Sequence, residues 1–534
     1  MKTSIESMKR IVLLFFVIAS SISATAQDAE IKQAERLLDK DQPNKAVEIL
    51  NQAIATYPEA TKLYYYLGSI QLKAGEQGKA LKSFEKGASL NEKDAINQAG
   101  LGAIRMLEKK PTEAKPFFDK ALAMSKSKDA EVLNAVAEAY LVDAKYSETA
   151  LKLLEKSKAL NPNNPKTFML MSEADLLQNK GGPAITNSER AIRLDPTNAK
   201  PYYSIAMVYM RSQNFTLAEE NFKKAISIDP EFTLAYKELG ELYYSMKDGA
   251  NAAKAYESYL KLTEKPEPGQ LRYAYFLFMA KDYAKANETF KSLSQKPDAT
   301  STTLKYYAYS LVEAGDLAEA QKVFEKYFSL VPTDKVEAND YSYFGKLLQK
   351  LNKDSLAVIS FQKSLALNQD QAEIAQQVAE TFFKLRKYPE AIAAYMELFK
   401  VRKKPLSKDY FILGQSYYQS SQYEKADTIF QKFAELQPKI SASYLWLGRT
   451  NANLDPDAKG DLTKTAYEKL IEIASANPET NGNKKDLIEA YKYMGYYHSQ
   501  RDQIELAKSF FQKVLDLDPA DAKAIEVLKL LKDN

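Results

Sequence analysis

The sequence predicts an all-α protein built as a solenoid of helix–turn–helix units. An alanine that precedes a large apolar residue by four positions recurs at intervals near 34 residues, which is the length of one helical hairpin. A small residue recurs twelve positions before that alanine, and a proline often follows twelve positions after it. Glycine supplies 18 and proline 20 of the 534 residues, a low content that favours helix throughout.

The N-terminal segment has the pattern of a secretion signal. Two basic residues precede an apolar run over 11–24, and a small-x-small sequence ends at Ala26. The run is 14 residues long, shorter than the roughly 20 residues that a membrane-spanning helix requires. We expect a signal peptide over 1–26, cleaved between Ala26 and Gln27, with an uncleaved anchor as the alternative. The mature chain is then expected to be soluble and periplasmic, without an integral membrane segment. No cysteine follows the run, so we do not expect a lipoprotein.

The repeated alanine predicts fourteen units and a final helix. Successive spacings from Ala46 onward are 34, 34, 36, 34, 34, 34, 34, 34, 37, 34, 35, 40 and 41 residues. We expect a continuous array over 27–521, in which the longer spacings are longer turns. A helix over 522–534 is expected to cap the array. The predicted units are 27–60, 61–94, 95–130, 131–164, 165–198, 199–232, 233–266, 267–300, 301–337, 338–371, 372–406, 407–440, 441–487 and 488–521.

Each position of the repeated pattern has a packing reason. The small residue in the first helix lets the second helix approach closely, and a Phe or Tyr in the second helix fills the gap between successive units. Proline lacks an N–H and disfavours helix before it, so it ends the unit. Glu138 and Ser172 occupy the small position in the fourth and fifth units, where we expect looser packing. The small residues elsewhere are Gly68, Gly102, Ala206, Gly240, Ala274, Ala308, Gly345, Ala379, Gly414 and Gly495.

These positions also follow the pattern of a known family. Tyr236, Leu239, Gly240 and Tyr243 are spaced as aromatic, Leu, Gly and Tyr, and the stretch 410–417 repeats the arrangement. The chain resembles the tetratricopeptide repeat (TPR) family over essentially the whole mature sequence, and in particular the exported TPR arrays of Bacteroidetes-like bacteria. The resemblance implies a right-handed α-solenoid in which the first helix of each unit lines a concave groove. It also implies that the partner is a protein or a peptide.

The groove positions of the sixth to ninth units carry aromatic, methionine and basic residues. Methionine adapts to irregular surfaces, and tyrosine combines apolar area with a hydroxyl, which suits the binding of a polypeptide. The alternative is that several of these side chains pack between helices. We call this set the groove strip, and it consists of Lys200, Tyr203, Met207, Met210, Arg211, Lys237, Tyr244, Leu271, Tyr275, Phe278, Met279, Lys305 and Tyr309.

Composition excludes several classes of site. The absence of cysteine excludes disulfides, thiolate metal sites and thiol nucleophiles, and a single histidine excludes multi-histidine metal sites. The net charge of +4 is too balanced to indicate a nucleic-acid partner. Asp455 begins a stretch that resembles a calcium loop, but the twelfth position, Ala466, offers no carboxylate. We expect no cofactor, no metal site and no catalytic residue.

The sequence therefore favours a non-catalytic scaffold or adaptor that binds a protein or peptide in its groove, with a place in envelope assembly or secretion. A carbohydrate-binding accessory protein of glycan uptake is the first alternative, although the chain has one tryptophan, Trp446, to offer a sugar. Self-association into a structural rod is a second alternative, and a hydrolase is the most remote.

Overall fold

The computed structural model of the chain describes residues 26–476 and 483–531. The predicted signal peptide lies outside the described residues except for its last residue, Ala26. Its cleavage therefore stays a prediction. The described residues form helices, turns and bends and contain no strand. The expected all-α class is confirmed.

The chain forms two compact units, Met1–Ala299 and Thr300–Asn534. Continuity of the array across this boundary stays a prediction. Within each unit, successive helices pair as antiparallel hairpins. The described part of the first unit holds α1 (26–39) with α2 (Pro43–Thr56), α3 (Thr61–Lys73) with α4 (Gln77–Leu90), α5 (Ile96–Leu107) with α6 (Pro111–Met124), α7 (Ala130–Tyr140) with α8 (Ser147–Leu160), α9 (Pro165–Leu177) with α10 (Gly181–Leu194), α11 (Lys200–Arg211) with α12 (Phe215–Ile228), α13 (Thr233–Ser245) with α14 (Gly249–Leu262), and α15 (Glu267–Met279) with α16 (Tyr283–Ser294).

The second unit continues the same hairpin pattern in its described residues. Its last helix packs on the preceding hairpin. The helices are α17 (Ser301–Ala314) with α18 (Leu317–Leu330), α19 (Ala338–Lys350) with α20 (Asp354–Leu367), α21 (Ala372–Lys384) with α22 (Tyr388–Val401), α23 (Ser407–Gln419) with α24 (Tyr423–Leu436), α25 (Ser441–Leu454) with α26 (Leu462–Ala476), α27 (Lys484–Ser499) with α28 (Ile504–Leu517), and α29 (Ala522–Leu530).

The repeated alanine marks the closest approach within each hairpin. It is fully buried in thirteen of the fourteen repeats, and the remaining one, Ala466, is 7% exposed. The aromatic residue four positions later packs against the glycine of the first helix. A Cβ atom added to Gly68 would lie 2.5 Å from the Phe84 ring, and one added to Gly414 would lie 2.6 Å from the Phe430 ring. The small position is therefore required by contact with the facing aromatic ring.

The turn within the hairpins repeats one backbone feature. A residue with positive φ lies five positions before the repeated alanine in 12 of the 14 repeats. Such a residue ends a helix and reverses the chain. Two of the twelve are glycines, which adopt this conformation without strain. The residues are Asp41, Gly75, Lys109, Asn179, Gln213, Lys247, Lys281, Gly315, Asn352, Arg386, Ser421 and Asp502.

The longer spacings are accommodated locally. Short 3-10 helices over Ala144–Tyr146 and Thr333–Lys335 take up the extra residues of the fourth and ninth repeats. In the insertion before α26, the Asp455 carboxylate accepts hydrogen bonds from the N–H groups of Lys459 and Gly460 at 3.0 and 2.6 Å. Asp455 thus closes a turn with its own backbone neighbours.

The insertion also displaces one glycine from its expected position. Gly448 of α25 faces the ring of Tyr467, at 2.7 Å from an added Cβ, although it lies eighteen positions before Ala466. Position counting missed this contact because the inserted residues lengthen the connection between the two helices.

Polar contacts replace the glycine–aromatic contact in the fourth and fifth repeats, where we expected looser packing. Ser172 is 2% exposed and donates to the Ala184 carbonyl at 2.8 Å, while its hydroxyl lies 2.7 Å from that of Ser188. Glu138 forms an ion pair with Lys73 at 2.6 Å. Hydrogen bonds therefore join α9 to α10 at this position, and Glu138 contributes to a charged cluster described below.

Candidate functional site

The groove strip lies on the first helices of four successive repeats. Eleven of its thirteen residues lie on α11, α13 and α15 of the first unit, and Lys305 and Tyr309 lie on α17 of the second. On α11, Tyr203, Met207 and Met210 are half-buried and Arg211 is exposed. Arg211 donates to the Leu176 carbonyl at 2.8 Å. These helices thus present a partly accessible apolar surface with a basic edge.

A guanidinium sits among the aromatic rings of α13 and α15. Arg272 contacts Glu241 through two hydrogen bonds of 3.0 and 2.5 Å. Its guanidinium lies 4.2 Å from the centre of the Tyr244 ring, 4.7 Å from Phe276 and 5.6 Å from Tyr275. The hydrogen bond to Glu241 raises the pKa of Arg272 above its ordinary value. The rings are therefore held around a permanent cation by a cation–π arrangement.

The sequence pattern did not predict Arg272 as a groove residue, because it is the sixth residue of its unit and lies outside the positions expected to face the groove. Its sequence neighbours offered a usable signal. Arg272 lies three residues before Tyr275, so the two share a helix face. A carboxylate, Glu241, lies at a groove position of the preceding unit.

Aromatic contacts continue from this cluster along the strip. The ring centres of Tyr244 and Tyr275 lie 6.0 Å apart, those of Tyr275 and Phe278 6.4 Å, and those of Phe278 and Tyr283 5.9 Å. Together these four residues join α13, α15 and α16. The strip residues Lys237, Leu271 and Met279 are half-buried beside them. The first unit thus brings together three aromatic residues of the predicted strip and extends the series to Tyr283, whereas the ring of Tyr203 contacts Phe222 and Phe232.

Tyr309 requires a correction. It is 3% exposed and its hydroxyl donates to the buried Asp340 carboxylate, which also accepts from Tyr327 at 2.7 Å. The Tyr309 ring stacks on Tyr343 at 3.9 Å. Lys305 lies 3.5 Å from the same carboxylate. Tyr309 is therefore a packing residue of α17 and α19, and Lys305 neutralises the charge beside it.

A charged cluster joins the first helices of repeats one, two, four and five. Lys166 Nζ lies 2.9 Å from Glu35, 3.5 Å from Glu138 and 5.1 Å from the centre of the Tyr66 ring. Burial favours a higher pKa for Glu138, but the charges of Lys166 and Lys73 outweigh it and hold the pKa below the ordinary 4.5. The carboxylate is therefore ionised at neutral pH, and the cluster is a set of mutually neutralised charges.

The strip residue Lys200 is already paired within the chain. Its Nζ lies 2.8 Å from the Asp39 carboxylate of α1, and this contact raises the pKa of Lys200. Asp39 and Arg36 of α1 also border a pocket of about 310 Å³. Arg36 donates to Thr197 at 3.1 Å across it. The remaining lining residues are Lys40, Asn198, Ala199, Ile228, Asp229 and Phe232.

The described part of the chain offers no metal site, and its one tryptophan is a packing residue. No group of three His, Cys, Asp or Glu side chains there is placed to hold a metal ion. Trp446 is half-buried, with its ring centre 5.5 Å from Phe430 and 5.3 Å from Tyr418. Its neighbours identify it as a packing residue. Among the described helices, none combines the length and the apolar character that spanning a bilayer requires.

The paired helices, the buried small positions and the groove strip define a helical-repeat protein. Models of the tetratricopeptide repeat family match residues 31–95, 199–232, 410–440 and 488–521. The chain is 35% identical to the C-terminal part of a TPR repeat-containing protein of Cytophaga hutchinsonii, over 48% of this chain and 98% of that one, with a TM-score of 0.40. The chain belongs to the tetratricopeptide repeat family, as its motifs predicted.

Two further solved structures also match the chain at lower identity. A thermophilic TPR protein of Thermus thermophilus is 24% identical over 34% of this chain and 99% of that one, with a TM-score of 0.30. PilF of Pseudomonas aeruginosa is 23% identical over 41% of this chain and 97% of that one, with a TM-score of 0.30. No curated protein matches the sequence. The TPR fold is that of a protein–protein interaction scaffold, and proteins built from it are generally non-catalytic.

Proposed function

We propose that this chain is an exported, periplasmic scaffold that binds a polypeptide partner along the groove strip of the sixth to eighth repeats. The observation that carries this proposal is the aromatic series from Tyr244 to Tyr283, held around Arg272. Interfaces are enriched in Tyr, Phe, Met and Arg, and these residues dominate binding energy when they are pre-positioned. A place in envelope assembly or secretion is part of the same proposal.

The chemistry of the strip specifies the kind of partner. Arg272 is already neutralised by Glu241, so it is a poor receptor for a free carboxylate. Half-buried rings and methionines favour apolar and aromatic side chains of an extended or helical segment. We therefore expect a partner segment with at least two large apolar residues rather than an acidic tail.

Crosslinking in intact cells tests the proposal. With a photo-reactive residue in place of Met279, we expect a crosslinked polypeptide whose yield falls about tenfold in the Tyr275→Ala background, which corresponds to ~1.4 kcal/mol. Lys254→Ala, on the exposed side of α14, is the matched control and should leave the yield unchanged. Helix content by circular dichroism should be the same in both variants.

The same cells test export. The protein recovered from the periplasmic fraction should begin at Gln27. Recovery from the cytoplasm with residues 1–26 still attached would contradict the localisation. A crosslink yield that is equal in Tyr275→Ala and in Lys254→Ala would contradict the groove strip as the binding surface.

A further inference from the structure

The N-terminal hairpin of the first unit touches repeats that are far along the chain. Its helix α1 and the turn after it contact α9 and the turns that precede α11, α13 and α15. The partners are 131 to 222 positions away in sequence. A solenoid repeat ordinarily contacts its immediate neighbours. These contacts are therefore an additional feature of this chain.

Four charged residues of α1 and the turn after it pair with opposite charges on the fifth and sixth repeats. The pairs are Lys32 with Asp195 at 3.1 Å, Glu35 with Lys166 at 2.9 Å, Asp39 with Lys200 at 2.8 Å, and Lys40 with Glu231 at 2.8 Å and Asp229 at 3.4 Å. Of the other charged residues of α1, Asp28 pairs with Lys62 of the second repeat, and Arg36 donates to Thr197. The match fixes the register in which α1 lies on repeats five to seven.

The beginning of α2 is capped by a residue from the turn between the seventh and eighth repeats. The Glu264 carboxylate accepts from the N–H groups of Asn44 and Lys45 at 2.9 and 3.3 Å. A carboxylate is favoured there because helix N-termini present unpaired N–H groups and a positive dipole end. The residue before α2, Gln42, supplies no side-chain cap of its own. Glu264 thus fills a position that a local residue leaves open.

Backbone contacts complete the connection at the turn after α1. Thr233 donates to the Lys40 carbonyl at 2.7 Å, and the Glu264 N–H donates to the Asp41 carbonyl at 3.3 Å. The ion pairs around them are partly exposed, as shown by the 42% and 20% exposure of the Lys200 and Asp39 side chains. Exposed pairs are individually weak and are screened by salt. Salt is therefore expected to weaken these ion pairs.

We propose that residues 28–45 form a reversible clasp on repeats five to seven and the turn that follows them, which in its closed state withholds one end of the groove strip. Closure pairs Lys200 with Asp39. It also places Arg36 and Asp39 over Phe232, whose ring centre lies 5.7 Å from that of the strip residue Tyr203. A partner that pairs with Lys200 must displace Asp39 of α1 first. This competition rests on the proposed function, whereas the clasp itself does not.

The absence of cysteine makes the clasp directly measurable. Gln33→Cys, on the exposed face of α1, and Lys265→Cys place one spin label on the clasp and one on the repeats beneath it. Without any partner, we expect a short, narrow distance distribution at low salt. It should shift to longer and broader distances in Glu264→Lys, in Asp39→Lys and at about 1 M salt, where the Debye length is ~3 Å.

Exchanging the two charges of one ion pair distinguishes an open clasp from an unfolded chain. Asp39→Lys combined with Lys200→Asp restores the opposite signs and should recover the short distance. Glu155→Lys, which breaks the local pair with Lys158 on α8, is the matched control and should leave the distance unchanged. A distribution that ignores both the charge reversals and salt would overturn the clasp.

A second measurement tests whether the clasp and the partner compete for the groove strip. The crosslink yield at position 279 should rise several-fold in Glu264→Lys if the clasp withholds the strip. An unchanged yield in a variant whose labels have moved apart would overturn the competition and leave the clasp standing. A missing crosslink in every variant would instead count against the proposed function.

Discussion

At the scale of single residues, the fold depends on contacts between glycines and aromatic rings. Phe84 of α4 lies between two glycines, because added Cβ atoms at Gly68 and Gly100 would fall 2.5 and 2.3 Å from its ring. Gly68 belongs to the same hairpin, and Gly100 belongs to the next one. One ring thus joins two helices of successive repeats, and its fit depends on the absence of both side chains.

Gly68→Ala should therefore destabilise the second and third repeats. Overpacking of a filled core costs about 1–3 kcal/mol, and the better helix propensity of alanine returns up to ~1 kcal/mol. We expect a net loss of about 1–2 kcal/mol, measured as faster amide hydrogen exchange in peptides from α3 and α4. Gly78→Ala in α4, where an added Cβ meets nothing within 4 Å, is the control and should slow exchange slightly.

Single residues also show what position counting can predict. The repeated alanines and most of the facing glycines were predicted correctly because the same close contact recurs in most hairpins, whereas Gly448 was missed. Tyr309 and Arg272 were not predicted correctly, since their environment depends on the neighbouring repeat. The buried Asp340 carboxylate draws the hydroxyl of Tyr309 inward, and Glu241 draws Arg272 into the strip. Period alone does not reveal such pairings.

At the scale of elements, the turn within most hairpins carries a backbone cost. Lys247 has a φ of 61° and Gly75 a φ of 81° at equivalent positions of two repeats. Residues with a Cβ pay roughly 1–2 kcal/mol in this conformation, and glycine does not. Ten of the twelve positive-φ positions lack glycine, so the chain retains strain that one substitution can relieve.

Lys247→Gly should stabilise the seventh repeat by about 0.5–1 kcal/mol, since glycine removes the strain but gains flexibility in the unfolded chain. Gly75→Ala is the reciprocal change. Its added Cβ has open space, so a loss of ~1 kcal/mol would arise from the backbone alone. Amide hydrogen exchange measures both changes in stability. It is followed in α13 and α14 for Lys247→Gly, and in α3 and α4 for Gly75→Ala. Equal exchange in the variants and the parent chain would show that the turns relax without cost.

At the scale of the whole molecule, the 34-residue period predicts which helices are neighbours but not which distant repeats meet. Each repeat is rotated slightly relative to the one before it. The accumulated rotation over several repeats decides whether the first repeat comes into contact with the fifth. That accumulated rotation depends on breaks such as Ala144–Tyr146. The contact of Glu35 with Lys166 therefore had no sequence signal beyond two opposite charges in a chain rich in both.

The contacts that Glu138 makes between distant repeats depend on pH. Glu138 joins Lys73 of the second repeat to Lys166 of the fifth, and these charges hold its pKa below the ordinary 4.5. A carboxyl with a lowered pKa in the folded state stabilises that state at pH values above its unfolded pKa. The stabilisation is lost as the pH falls below about 4.5 toward the folded-state pKa.

Glu138→Gln should accordingly lower the free energy of unfolding of the first unit at pH 7 by about 1.5–3 kcal/mol, the range for a hydrogen bond to a charged group. The gap between the parent chain and the variant should narrow progressively in denaturant titrations below about pH 4.5. Glu155→Gln, which removes an exposed local pair with Lys158, should change stability by less than ~0.5 kcal/mol at either pH. A gap for Glu138→Gln that stays constant down to about pH 3 would show that the side chain acts through its shape rather than its charge, and that the distant repeats are held by other contacts.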